Sequence, residues 1–255
     1  MRFQNKVVVI TGTAGGQGRE AAIRFAGEGA IVAGCDVNVE GNNETKKLVE
    51  SAGGIMLAHS PVDLTDEPQT KAWLDAVVDA FGKIDVLYAN AGATKFSPVA
   101  ETTFEDWQFV LKHELDVVFL PIKHAWKYLI ASKGNIVLVG STAGVSGSVT
   151  NTRVAHSATK GGVIAMGRQL AGEGAQYGIR VNTVSPGMIR TPATENDLLA
   201  ADHPMRHIEK SIPLKRIGTP QEVVNCAMFL ASDEASYVTG ANLMVDGGWS
   251  AVLPG

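Results

Sequence analysis

The chain is short of the residues that staple small secreted folds. It holds two cysteines in 255 residues, Cys35 and Cys226, each in an apolar pattern and far apart in sequence. No disulfide framework is expected, and buried free thiols in a reducing, cytoplasmic compartment are. Positive charge is not in excess, since 22 Lys and Arg against 26 Asp and Glu leave a net −4. No basic stripe is interleaved with aromatics, so nucleic acid is not an expected partner. No apolar run approaches the roughly 18 residues that a membrane span needs. The segment Met1–Lys6 has no apolar core of a leader peptide, so no secretory signal is expected. His203 and His207 are four apart, but Pro204 lies between them and no third ligand follows, so no metal site is expected. Tyrosine is scarce, with four in the chain.

What is present is an enzyme-sized apolar content, 45% hydrophobic residues, enough for one substantial core. No linker or repeat divides the chain, and residues 1–255 read as a single domain. The most telling stretch is Thr11-Gly12-Thr13-Ala14-Gly15-Gly16-Gln17-Gly18. An apolar, β-branched run, Val7 to Ile10, precedes it, and a helical pattern, Arg19 to Glu28, follows. A strand, a glycine-rich turn and a helix can cradle a dinucleotide pyrophosphate. The glycines let the backbone approach, and the helix start offers free N–H groups and partial positive charge. The spacing is G-x-x-x-G-x-G rather than the commoner G-x-G-x-x-G. Asp36 then closes a second apolar run, about 20 residues past the glycines, where a carboxylate can accept from an adenosine ribose and repel a 2′-phosphate. Neither neighbour, Cys35 or Val37, is a cation, so NAD is expected over NADP.

Strand and helix patterns alternate through the rest. Strands are expected at 30–35, 55–58, 84–88, 135–139, 178–184 and 242–245. Helices are expected at 67–81, 104–130 with a bend near Pro121, 154–176 and 219–231. The polar segment 191–211 reads as a substrate lid. This alternation implies an α/β, doubly wound Rossmann-type domain with a parallel, seven-stranded sheet covered on both faces.

Several motifs stand in one order: Thr11-Gly12-x-x-x-Gly16-x-Gly18, Asp63-Leu64, Asn90-Ala91-Gly92, Ser141, Lys160, Pro186-Gly187-x-Ile189-x-Thr191 and Asp246-Gly247-Gly248. By these the chain resembles the short-chain dehydrogenase/reductase family over essentially its whole length. The resemblance implies nicotinamide-dependent alcohol/ketone chemistry on a small-molecule substrate and, usually, a homotetramer. It also implies a cofactor site. Gly12, Gly16, Gln17 and Gly18 would lie at the phosphates, and Asp36 and Val37 at the ribose. Asp63 and Leu64 would flank the adenine, Asn90, Ala91 and Gly92 would run along the cofactor, and Lys160 would hold the nicotinamide ribose. Pro186, Gly187, Ile189 and Thr191 would lie near the carboxamide.

The expected catalytic set is Ser141, His156, Lys160 and Glu114, and here the chain departs from the family. The family pattern is Tyr-x-x-x-Lys, but the residue four before Lys160 is His156. Gly92, Ser132, Val181 and Ala241 stand four after the tyrosines, so realignment supplies no Tyr-x-x-x-Lys. The family's Asn position on the preceding long helix holds Glu114. Residues 156 and 160 share one helical face. An imidazole can exchange protons near neutrality without the help a phenol needs, and Ser141 would bond the substrate oxygen. The reading is an NAD-dependent oxidoreductase interconverting a secondary alcohol and a ketone, with His156 as acid/base. A non-redox, lyase-type enzyme and an NAD-binding regulatory protein remain open alternatives. The substrate pocket is expected from Thr94–Phe96, Val145–Arg153, Met188 and the lid. The Ser141–His156 segment is about two residues longer than is common in the family. Trp126, Ala165, Met166, Ala171 and the tail through Leu253 are expected at subunit interfaces.

Overall fold

In a computed structural model, which describes residues 1–252, the run Val7–Thr11 forms β1 and is wholly buried. Its side chains alternate between two cores. Val8 and Ile10 join Phe25, Tyr88 and Met228 on one face, and Val7 and Val9 join Trp73, Leu74 and Leu129 on the other. A strand apolar on both faces suits a parallel sheet that is covered twice. The sheet has seven strands in the order β3-β2-β1-β4-β5-β6-β7, every neighbouring pair parallel. The others are β2 (Ile31–Cys35), β3 (Ile55–His59), β4 (Val86–Ala89), β5 (Asn135–Val139), β6 (Arg180–Pro186) and β7 (Asn242–Val245).

The helices are α1 (Gly16–Gly27), α2 (Val39–Ser51), α3 (Glu67–Phe81), α4 (Phe104–Leu111), α5 (Val117–Ser132), α6 (Val154–Ala175), α7 (Pro192–Asn196) and α8 (Pro220–Ala231). Most begin with a side-chain cap. Asn38 caps α2, Asp66 caps α3, Thr103 caps α4, and Thr191 and Thr219 open capping boxes on α7 and α8. Helix α1 differs, because its N-cap is Gly15 and no side chain satisfies its first N–H groups. The strand order reverses between β1 and β4, and a crevice opens there beyond their carboxyl ends. The uncapped end of α1 lies at that crevice.

The long helix expected over 104–130 is interrupted, but not where the proline suggested. A π-helical turn, Lys112–Asp116, separates α4 from α5, and Pro121 lies inside α5. The widened turn ends directly before Val117, the residue whose carbonyl finds no amide donor at Pro121. The segment 191–211 is less polar in effect than its sequence reads. Its Met205 and Ile208 pack with Met188, Ile212, Leu198, Leu199 and Trp249 into a third small core. Ala171 is buried within this chain beside the sheet, so it is not held for a subunit interface, and Met166 and Trp126 pack partly against the same core. Of the tail, Leu253 lies outside the described residues, while Trp249 packs back on the chain.

Candidate active site

A cavity of about 480 Å³ lies along the crevice. Its walls bring together Gly12, Gly16, Gln17, Asp36, Val37, Asp63, Leu64, Asn90, Ala91, Gly92 and Thr191, residues spread over 180 positions of sequence. Gly12 (φ +76°) and Gly16 (φ +51°) hold backbone that L side chains rarely adopt. Gly18 does not line the cavity. A Cβ there would meet the Gly12 carbonyl at 1.9 Å, so its glycine lets α1 close on the turn. Asp36 is fixed at the end of β2, accepting from the Ala14 and Asn38 N–H groups at 2.9 Å each. A carboxylate has further lone pairs, so it can still accept from ribose hydroxyls. Gln17 Oε1 is buried at the crevice with no partner among the described residues. An uncapped helix, a backbone left bare by glycine and a fixed acid fit a dinucleotide.

Four other residues expected at the cofactor are not on the wall of this cavity. Pro186 ends β6 against Val245, Ile189 is buried and bridges Gly218, and Gly187 lines a second cavity. Lys160 is almost fully buried behind Gly92, where an ideal Cβ on that glycine would be 4.0 Å from Nζ. Ala93, His113, Val117 and Pro192 line the crevice without having been expected there. Nothing in their spacing marks them. His113 arrives through the π-helical turn, whose freed His113 carbonyl accepts from the Ala93 N–H at 3.1 Å.

The same turn delivers Glu114 to His156. The imidazole Nδ1 lies 2.8 and 3.0 Å from the two carboxylate oxygens. A carboxylate only accepts, so Nδ1 carries the proton. Thr159, one turn along α6, donates to Glu114 Oε2 at 2.5 Å. Lys160 Nζ is 3.9 Å from Glu114 Oε1 and donates to the Val139 carbonyl at 3.2 Å. Burial pulls the Lys160 ammonium below its ordinary pKa, and Glu114 partly opposes that. His156, Glu114 and Thr159, all nearly buried, form one hydrogen-bonded unit, and Lys160 joins it only as an ion pair with Glu114. Thr159 was not foreseen, although its place three residues after His156 on α6 carried the signal. With Nδ1 engaged, Nε2 is the nitrogen left to the cavity that His156 lines.

That second cavity holds about 450 Å³. Ser141, Thr94, Phe96, Arg153 and Met188 line it, with Thr194, Asp197 and Leu198 from the lid segment. Phe96 meets the His156 ring edge-on at 5.6 Å between centroids. Lys95 turns away to pair with Asp106 at 2.5 Å, and Val145 and Val149 are exposed, so these three do not shape the walls. Trp249 does, arriving from the far end of the sequence where no local pattern announced it.

A doubly wound sheet, an uncapped glycine-bordered crevice and an adjoining cluster of buried ionisable side chains fit a dinucleotide-binding oxidoreductase domain. Residues 12–250 match the family model described as enoyl-(acyl carrier protein) reductase. The chain is 39% identical over 251 residues to a 3-oxoacyl-[acyl-carrier-protein] reductase of Thermotoga maritima, covering 97% of this chain and 99% of that protein. It is 36% identical to the meso-2,3-butanediol dehydrogenase of Serratia marcescens, covering 98% and 97%. It is also 36% identical to the levodione reductase of Leifsonia aquatica, covering 98% and 96%. A crystal structure of levodione reductase superposes with a TM-score of 0.93 over 99% of this chain and 100% of that one, at 35% identity. The chain belongs to the short-chain dehydrogenase/reductase family and is one of its nicotinamide-dependent oxidoreductases. Among the described residues no helix is long and apolar enough to cross a membrane.

Proposed function

We propose that the protein is an NAD-dependent dehydrogenase that interconverts a secondary alcohol and a ketone, with His156 as the proton-transfer residue. The observation that carries this is the Glu114–His156 contact, which fixes the imidazole with Nδ1 protonated and Nε2 free toward the substrate cavity. The crevice residues, among them Gly12, Gly16, Asp36 and Asn90, would hold the dinucleotide, which would supply hydride-accepting and hydride-donating chemistry beside the substrate cavity. In oxidation, Nε2 takes the hydroxyl proton as the C–H bond breaks, and Glu114 stabilises the imidazolium so formed. Ser141, on the wall of the same cavity, holds the substrate oxygen. Lys160 holds the ribose hydroxyls and is kept in place by Val139 and Glu114. Asp36 favours NAD, because a 2′-phosphate would meet its carboxylate. Arg19 cannot compensate, being committed to Ala14 O, Thr45 Oγ1 and Glu44. The relatives named as butanediol and threitol dehydrogenases support an alcohol/ketone substrate.

Two further parts of the reading concern assembly and place. Phe104, Phe119 and Val154 are exposed on α4, α5 and α6 on one side of the sheet and Phe229 on α8 on the other, apolar positions suited to burial in a homotetramer. The free cysteines suit a reducing, cytoplasmic setting. Assaying NADH formation over a panel of secondary alcohols tests the activity. His156→Ala should lose on the order of 10²–10⁴ in rate and keep its NAD affinity. His156→Tyr should not raise activity on the best alcohol. A much faster enzyme from that substitution would overturn the role given to His156.

A further inference from the structure

The cavity beside His156 contains a cation with nothing to pair with. Arg153 immediately precedes α6, and its backbone is pinned by a bridge to Ser97. Its guanidinium lines the cavity, and its Nε is buried with no hydrogen-bond partner among the described residues. Burial lowers its pKa, and no carboxylate acts to restore it. Asp197 is the one acidic residue on the cavity wall, and it forms no ion pair with Arg153. An unpaired, half-buried guanidinium is costly unless something else supplies the anion. Two other donors face the same space. Thr94 Oγ1 is buried and unpartnered, and no side chain caps the N-terminus of α6.

We propose that Arg153 binds a carboxylate of the substrate, so that the natural substrate is a hydroxy acid or the matching oxo acid rather than a neutral alcohol. The guanidinium fork matches a carboxylate with two parallel hydrogen bonds. Residues 153 and 156 stand three apart at the start of α6, on one side of the helix. The carboxylate and the reacting carbon are thus held by neighbouring groups, which selects acids whose hydroxyl lies a few carbons from the carboxylate. Relatives named for butanediol, levodione and threitol act on neutral molecules, so this places the present chain in a different substrate class. The assignment rests on the redox reading of the site above.

Equilibrium binding to the NADH-loaded protein tests it without turnover. The probes are 3-hydroxybutyrate, 3-hydroxyhexanoate and 3-hydroxyoctanoate, each beside its methyl ester. At least one acid should bind tenfold or more tighter than its ester. Arg153→Gln should abolish that preference while NADH affinity and melting temperature stay unchanged, and Arg153→Lys should restore part of it. Asp197→Asn should leave the preference intact or strengthen it. Acids binding no better than esters, no binding of either at millimolar concentration, or a preference surviving in Arg153→Gln would each overturn the proposal. Failure of the redox reading looks different: acids would bind with the Arg153-dependent preference, yet none would reduce NAD.

Discussion

Glu114→Gln is the most searching perturbation of this site. The change keeps the shape of the side chain and removes its charge. The carboxylate now accepts from His156 Nδ1 at 2.8 and 3.0 Å and from Thr159 at 2.5 Å, with Lys160 Nζ 3.9 Å away. An amide has one oxygen and one NH2, so even with its oxygen at the Oε2 place, in reach of both His156 and Thr159, it sets an NH2 against the imidazole where Oε1 now accepts at 2.8 Å. If the NH2 faces His156, the imidazole must move its proton to Nε2, the wrong nitrogen for a base. If the oxygen faces His156, the tautomer survives but the imidazolium formed in oxidation loses its counter-charge. Charge-assisted hydrogen bonds contribute roughly 1.5–3 kcal/mol, and a pair of charges 4 Å apart about 4 kcal/mol at an effective dielectric constant of about 20. A loss of about 2–4 kcal/mol from the transition state is therefore expected, roughly 30- to 1,000-fold in kcat. KM for the alcohol and NAD affinity should change little, because Glu114 lines neither cavity. Lys160, left buried without its carboxylate, should lower the melting temperature as well. Glu114→Asp, which keeps the charge, should recover part of kcat. Steady-state NADH formation at saturating NAD, with calorimetric NAD binding and thermal melts, separates these effects. A Glu114→Gln enzyme with kcat within threefold of wild type would refute the role given to this carboxylate. So would a loss that appears only in NAD affinity or only in stability.

Titrating both cofactors by calorimetry should show NAD bound at least tenfold more tightly than NADP, about 1.4 kcal/mol, and Asp36→Ala should narrow the gap; equal NADP binding in the wild type sinks the preference. Light scattering at micromolar concentration should give a tetramer, and a monomer would contradict the interface read from the exposed phenylalanines. Glu222 has its pKa lowered from 4.5 to about 2 by Arg216 and by the Thr219 amide it caps. A depressed carboxylate stabilises the fold above its unfolded pKa and ceases to do so as pH falls through the folded one. Glu222→Gln keeps the capping box but loses the charge facing Arg216, so it should melt about 1–3 °C lower at neutral pH, for an exposed ion pair worth about 0.5–1 kcal/mol, and the difference should fade between pH 4.5 and 2. A difference independent of pH would rule out the charge as its source.

The sequence was most legible where a local pattern and a long-range constraint coincided. The strand runs gave all seven strands to within about two residues, most directly at β1, β4 and β5, where burial on both faces makes the run apolar. The crevice was readable from Gly12, Gly16, Asp36 and Asn90-Ala91-Gly92, since each follows directly from a strand end. Legibility failed where position depends on hydrogen-bond register. Pro121 suggested a bend, but the departure from α geometry falls at 112–116, and no residue type there marks a π turn. It failed also for Trp249, which enters the substrate cavity through tertiary packing from the far end of the sequence.

The π turn is also what makes the two unusual positions intelligible together. A carboxylate at 114 in a regular helix would be an isolated buried charge beside an isolated buried lysine. Here Glu114 lies in the π turn and meets α6, where His156 and Thr159 bond it and Lys160 stands 3.9 Å away. Thr159 and Lys160 also have backbone acceptors, at His156 O and Val139 O, whereas the buried carboxylate is offset by the three groups gathered round it. Histidine at 156 without Glu114 would have no fixed tautomer, and Glu114 facing a phenol would hold the very proton a tyrosine has to give up. On the mechanism proposed above, the pair acts as one substitution made in two places. Any attempt to convert this site toward the common tyrosine form must change residue 114 together with residue 156.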